Sequence, residues 1–477
     1  MTAYRRVKII FIIFRLFFGL CFFLYQTVAC AQLLHIRRIV LEGNEQTRSS
    51  VVLREMDIKE GDFLTIEELA PRIERNRELL LNTGLFTSVK INIKNWDTAR
   101  GEGDLLLNLR EAWYIYPVPV FELADRNFNT WWVTEKHSLK RVSYGVRVLW
   151  TNPTGRRDVL KVTAQTGFTQ KYELDYSLPG INAKKTIGVT GNVLLKRDRE
   201  ANYTTQNNRQ QFVRNSNSDF VLRRFRLALG LNYRQALFAS HGLRIERNNL
   251  TIGDTVSQFL NPDFFGNRQR KQSFLSLQYD FYYDCRDLRI FPTHGFFYNL
   301  HLQKDGVLPS DNLNALNTVL HFAHYFPLSK KINFEWIGEG RVALLRQKQP
   351  FYNSSALGYG DDFLRGYEYF VTDGLDYIYT KTSLRYQLLN QTIGWGEAKW
   401  LRYFREIPIR IYFSVNNDFG KANNPSYAAG NSLANQWLWG GGLGLNFVVN
   451  NDKLLQIEYS MNQLQQKSVF LHYKLGF

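Results

Sequence analysis

Along most of this chain the apolar residues fall on every second position. Val142, Tyr144, Val146 and Val148 alternate with Arg141, Ser143, Gly145 and Arg147, and Leu160, Val162 and Ala164 alternate with Lys161, Thr163 and Gln165. The same rhythm runs through residues 275–283, 407–415, 455–461 and 469–477. A period of two gives a strand one apolar face and one polar face. Sixteen such segments can be counted, centred near residues 120, 145, 162, 174, 189, 229, 247, 278, 299, 320, 337, 382, 411, 442, 457 and 473. A soluble sandwich also alternates, so the decision rests on other features. The segments are about ten residues long, as a tilted bilayer crossing requires. Their polar faces carry Arg, Lys, Glu and Asp, which suits a wet lumen, and aromatic residues gather at their ends. The expected fold is a transmembrane β-barrel of about sixteen antiparallel strands over residues 114–477. An even count returns both ends to one side, and closure leaves no edge for lipid to solvate. Residues 196–219 are polar and are expected to form a long loop, and 347–376 form the longest late insertion.

Residues 33–113 follow a different pattern. Ile36, Ile39 and Leu41 predict a strand turned by Gly43-Asn44, and residues 49–56 a short helix. Thr65-Ile66-Glu67-Glu68 is a capping-box pattern, in which two side chains satisfy the first free amides of a helix. That helix places Ile66, Leu69, Ile73 and Leu80 on one face and stops at Asn82-Thr83-Gly84. Two alternating strands follow, around Ile91 and Leu107, so the expected order is β-α-α-β-β.

Composition narrows the class. The chain has 477 residues, 44% hydrophobic and 15% aromatic, with a mean hydropathy of −0.31. No apolar run of helical-span length follows residue 31, and a barrel keeps its average hydropathy low because its apolar content alternates. Residues 1–31 read as a signal peptide: Arg5, Arg6 and Lys8, then an apolar stretch, then Ala29-Cys30-Ala31 as the cleavage pattern. A weak lipobox at Thr27-Val28-Ala29-Cys30 and an uncleaved anchor are the alternatives. The net charge is +17, but the bases are scattered along alternating segments, which suits lumen walls and lipid headgroups rather than nucleic acid. Cys21, Cys30 and Cys285 are the only cysteines, so cleavage would leave one thiol and no disulfide framework. No catalytic or cofactor-binding constellation emerges. His294 lies near Asp284, Cys285 and Asp287, which reads as a hairpin turn before it reads as a metal site, and Asp361-Asp362 lacks calcium-loop spacing.

Several motifs carry a resemblance. The 33–113 unit resembles a POTRA domain in Ile39-Val40-Leu41-Glu42-Gly43-Asn44, Gly61-Asp62 and residues 82–89. The barrel resembles the BamA/TamA family of outer-membrane assembly proteins. Tyr283-Asp284-Cys285-Arg286-Asp287 with Phe291-Pro292-Thr293-His294-Gly295 matches a family hairpin, Leu364-Arg365-Gly366-Tyr367 a family loop motif, and Asp418-Phe419-Gly420 a strand motif. The terminal Phe477 suits a barrel-insertion signal.

The resemblance implies that the loop between the eleventh and twelfth strands folds into the lumen. Arg365 would then pair with Asp418 beside Gly420, Gly366 would turn the backbone, and Tyr367 would pack on the wall. On spacing alone, Arg365 reads more readily as a solvent-exposed loop arginine, and it is the order of the family motifs that favours the lumen. Two departures stand out: Asn416 occupies a position often Phe in the family, and Arg385 falls where an acid is common. That would cost Arg365 one carboxylate and leave Asp361, Asp362 or Asp373 to replace it.

The resemblance also implies a weak lateral seam between first and last strands, here involving Pro117, Pro119 and Val120 against Tyr473 and Phe477. The two prolines either weaken the edge of the first strand or belong to a linker before it. Implied partners are unfolded outer-membrane proteins or secreted cargo, periplasmic or lipoprotein accessory subunits, and the lipid bilayer, with no cofactor and no nucleic acid. The function implied is insertion of client barrels, with a translocation pore, a passive porin or a barrel enzyme as alternatives.

Overall fold

The computed structural model describes residues 33–123, 136–182, 184–214, 220–360, 362–394 and 406–475. The expected signal peptide, Asp361 and Phe477 lie outside these residues. By contacts, the chain divides into two compact units. One comprises the described residues up to Val40 with Ile58–Glu74 and Asn92–Leu106; the other comprises Leu41–Asp57, Arg75–Ile91 and the chain from Leu107 onward.

The N-terminal region contains β1 (Leu33–Glu42), α1 (Ser49–Glu55), β2 (Phe63–Thr65), α2 (Ile66–Leu81), β3 (Phe86–Asp97) and β4 (Glu102–Glu111), with sheet order β2-β1-β4-β3. The extra strand β2 corrects the expected β-α-α-β-β order. Its three residues pair with Leu33–His35, too short a stretch to show a period of two. The capping box forms: the Glu68 amide donates to Thr65 Oγ1 at 3.2 Å and the Thr65 amide to Glu68 Oε2 at 3.3 Å. Leu69 and Leu80 are buried, but Ile66, in the first turn, is exposed.

All sixteen expected segments fall in one antiparallel sheet. Its strands are β5 (Ile115–Leu123), β6 (Val142–Thr151), β7 (Val159–Gly167), β8 (Thr169–Leu178), β9 (Ile187–Asp198), β12 (Leu222–Arg234), β13 (Ala239–Ile252), β14 (Lys271–Asp284), β15 (Gly295–Asp305), β16 (Ala315–Pro327), β17 (Ile332–Ala343), β20 (Asp376–Gly394), β21 (Glu406–Asn423), β22 (Leu438–Val449), β23 (Lys453–Asn462) and β24 (Lys467–Leu475). Successive barrel strands pair in sequence order from β5 to β24. The intervening numbers belong to two small hairpins, β10 (Glu200–Gln206) with β11 (Arg209–Arg214) and β18 (Ser355–Leu357) with β19 (Thr372–Asp373). The first corrects the loop expected over 196–219. Asn207 and Asn208 take positive φ at its tip, the turn geometry that suits a two-residue hairpin, and Asn tolerates it.

The barrel is inside out relative to a soluble protein. Ser276 and Gln272 are fully buried while Leu277, one residue from Ser276, is exposed; Asn446, Glu458 and Ser460 are buried while Leu443 and Ile457 are exposed. Polar side chains fill the interior and apolar ones face outward, as a lipid-facing wall requires. Among the described residues no helix is long and apolar enough to cross a membrane.

Candidate functional site

The loop between β17 and β20, the eleventh and twelfth barrel strands, carries the most elaborate interior contacts. Arg365 grips Asp418 of β21 twice: its backbone amide donates to Oδ2 at 3.0 Å and its Nη1 to Oδ1 at 2.6 Å. Its Nε donates to Glu458 Oε1 of β23 at 3.1 Å, and Nη2 reaches Ser383 Oγ of β20 at 3.4 Å. Asp418 is 0% exposed. A planar guanidinium with several donors suits this divided task better than an ammonium would.

Glycines make room for the loop. Gly366 turns at φ +82°, and a Cβ there would lie 2.9 Å from the Met461 carbonyl carbon. Its carbonyl accepts from Asn462 Nδ2 at 2.6 Å. On β22, a Cβ at Gly440 would sit 1.8 Å from the Arg365 carbonyl oxygen; on β21, one at Gly420 would meet Leu364 Cδ1 at 3.0 Å. Leu364 and Tyr367 join Phe370, Tyr377, Tyr379 and Leu438 in a buried apolar cluster, so Tyr367 packs on the wall. The outer hairpin closes over this assembly: the Val371 amide donates to the Asn208 carbonyl at 2.9 Å, and the Leu433 amide to Asn208 Oδ1 at 2.9 Å.

The expected rewiring is corrected in its details. Glu458 supplies the second carboxylate to Arg365, and Asn416 supports it, donating Nδ2 to Glu458 Oε1 at 3.2 Å. Asp373 instead engages Tyr359 and Asn431. Arg385 adds no unopposed charge. It pairs with Glu335, donates to the Pro292 carbonyl at 3.0 Å and stacks 4.1 Å over the Phe291 ring. The family hairpin is thereby tied to the wall. Within it, Asp287 accepts from the Thr293 amide at 2.9 Å, and His294 Nδ1 lies 3.3 Å from the Asp287 carboxylate. That hydrogen bond raises the His294 pKa against the opposing effect of burial. Sequence reasoning missed Glu458, Asn462 and Gly440. Only the run Gly440-Gly441-Gly442, odd inside a strand, signalled a close backbone approach.

Loop and last strand also touch. Phe363 stacks on His472 with centroids 5.2 Å apart, and Tyr369 lies 5.3 Å from Phe470.

The seam is resolved by hydrogen-bond parity. The Thr151 amide donates to the Tyr114 carbonyl at 2.8 Å, and the ladder between β5 and β6 continues without a shift. Even-numbered residues of β5 therefore bond to β6, and the main-chain groups of odd-numbered ones point to the outer edge. Pro117 and Pro119 are strand residues with their missing donors on that edge. Val120 is corrected as a seam residue: its main chain faces β6 and its side chain is buried. At the other end, the Asn462 amide donates to the Gln466 carbonyl, so odd-numbered residues of β24, Tyr473 among them, face the opposite edge. Val469, Leu471 and Tyr473 are each more than half exposed. Among the described residues β5 and β24 do not pair with each other.

A polar-walled sixteen-strand sheet, a loop folded back inside it and a small α+β unit ahead define an outer-membrane-type barrel with a POTRA domain. The family descriptions agree: "Surface antigen variable number repeat" (POTRA) matches residues 34–112 and the "Omp85 superfamily domain" matches 152–450, so the chain belongs to the Omp85 superfamily. Among solved structures it is similar to BamA from Haemophilus ducreyi lacking POTRA domains 1–3, with 15% identity over 92% of this chain and 84% of that one and a TM-score of 0.51. It is also similar to CdiB from Escherichia coli, with 13% identity over 93% and 76% and a TM-score of 0.54. No curated protein sequence matches the chain significantly.

Proposed function

We propose that this protein inserts client β-barrels into the outer membrane, with its POTRA domain in the periplasm, by adding a client strand at the seam between β5 and β24. The observation that carries this reading is the unpaired seam and its asymmetry. β24 presents complete donors and acceptors at residues 467–473, whereas β5 lacks two consecutive donors at Pro117 and Pro119. An edge with unmet main-chain groups favours strand addition, and the exposed Val469, Leu471 and Tyr473 match the alternation of a lipid-facing client strand. No catalytic or cofactor chemistry is needed, because main-chain hydrogen bonds and burial in lipid supply the driving force.

The test is a disulfide joining one cysteine on β5 to one on β24 in protein reconstituted into liposomes. Client insertion should stop when the bond is oxidised and return on reduction; insertion unaffected by the bond rejects the seam mechanism. A second reading, translocation of a secreted polypeptide through the lumen, draws on the polar interior. Depletion followed by outer-membrane proteomics separates the two: broad loss of barrels supports insertion, and loss of a single cargo supports translocation.

A further inference from the structure

A second cluster lies at the end of the barrel where β5 begins. Its N-terminal contributions, Leu41–Asp57 and Arg75–Ile91, belong by contacts to the same compact unit as the barrel. Three guanidiniums converge on one oxygen there. Arg54 Nη2, Arg157 Nη1 and Arg234 Nη1 lie 2.8, 3.1 and 2.7 Å from Glu55 Oε1. Glu55 is 4% exposed. Burial opposes its charge, but Arg157 and Arg234 outweigh burial and hold the carboxyl far below its usual range. Gly180 is part of the construction: at φ +79°, a Cβ there would stand 2.6 Å from Arg54 Nη1.

The cluster borders a cavity of about 430 Å³ whose walls also bring in Lys185, Arg286 and Arg289. Against these six cations the lining offers two carboxylates, Glu55 and Asp284. Asp284 is already engaged by Arg286 at 2.8 Å and Arg289 at 3.0 Å. Glu55 is thus the one carboxylate of the lining left for Arg54, Arg157, Arg234 and Lys185. Burial pushes Arg157 down to about 10, opposed by Glu55 and helped to a lesser degree by Arg289, Arg234 and Arg54.

We infer that this cavity is an anion site that takes a carboxylate of a polypeptide arriving at that end of the barrel. The inference rests on the polypeptide-handling function proposed above and adds the chemistry of one contact. A peptide carboxylate is favoured over a lipid phosphate because of where the walls face. Tyr282 shares the interior face of β14 with Gln272 and Ser276, and Phe297 pairs with Asp284 on that same face. The lipid-facing register of β14, with Leu277, does not line the cavity. Glu55 itself shows that a carboxylate carried on a polypeptide fits, and Phe238, Phe297 and Leu79 give apolar neighbours for the residues beside it.

The test uses the full-length protein in detergent micelles and a fluorescent peptide of about ten residues, a strand's length, made with a free C-terminal carboxylate or as its amide. The acid should bind more tightly than the amide. Arg157→Gln should weaken the acid roughly tenfold, the worth of one charge-assisted hydrogen bond. Glu55→Gln should strengthen it, because the guanidiniums lose their internal competitor. A merely structural role predicts the opposite sign for Glu55→Gln, and this arm stands even if Arg157→Gln does not fold, as judged by heat-modifiable electrophoretic mobility. Equal binding of acid and amide, weaker binding by folded Glu55→Gln, or displacement of the peptide by anionic phospholipid at equal concentration would each overturn the proposal. Binding is read without an insertion step, so peptide capture without client insertion would sink the insertion reading and leave this one standing.

Discussion

At the scale of single residues, Arg365 concentrates the interior's electrostatics. It is one cation between two buried carboxylates on different strands, Asp418 and Glu458. Removing one partner of such a group leaves uncompensated charge, which costs on the order of 3–5 kcal/mol. Arg365→Ala should therefore release the loop, and chymotrypsin should cut at its aromatic residues within 347–376 much faster while the strands stay protected. An unchanged cleavage rate would show that the apolar cluster around Tyr367 holds the loop unaided. Glu368, in the same loop, sets a pH dependence. Burial raises its carboxyl to about 7, opposed by backbone hydrogen bonds that favour the charge and helped by Glu458 and Asp418. A raised acid stabilises the docked loop below the unfolded pKa and loses that contribution as pH rises through the folded one. Protection factors for hydrogen exchange across 362–371, taken relative to the intrinsic rate at each pH, should fall between pH 5 and 8, and Glu368→Gln should flatten that profile.

At the scale of elements, the barrel strands were legible because each lies between two media and must alternate. The rhythm around Leu277 or Ile457 is written directly in the residues. The hairpin β10–β11 was not legible: its Tyr and Gln residues pair over other loops rather than between lipid and water, so no clean alternation marks it. The candidate site was half legible. Arg365, Gly366 and Asp418 followed from a motif, whereas Glu458 and Asn462 reach the loop from β23, 93 and 96 residues on from Arg365 and Gly366, and nothing local announces such a contact. Strand β5 yields its own prediction. Pro117→Val with Pro119→Val restores two donors on the outer edge, each worth about 1 kcal/mol once bonded. The double variant should zip the seam to β24, raise the unfolding temperature in micelles and slow client insertion. Faster insertion would mean that β5, not β24, receives the client.

At the scale of the whole molecule, the inverted distribution of polarity separates two kinds of tolerance. Leu229 faces outward, and Leu229→Arg should cost about 2–4 kcal/mol if it lies near the bilayer centre. Gln278→Arg, on the wet side of β14, should fold nearly as well as the parent; urea titration of folding into liposomes measures both. Equal penalties would contradict the assignment of faces.

The contacts of Phe363 with His472 and of Tyr369 with Phe470 carry a further consequence. The bung of this cask leans on its outermost stave, so the stave cannot swing out without jostling the bung. If the wall parts as proposed, sideways opening and leakage through the bore are one mechanical event, and electrical recordings from a single protein would show a flicker of current at each opening.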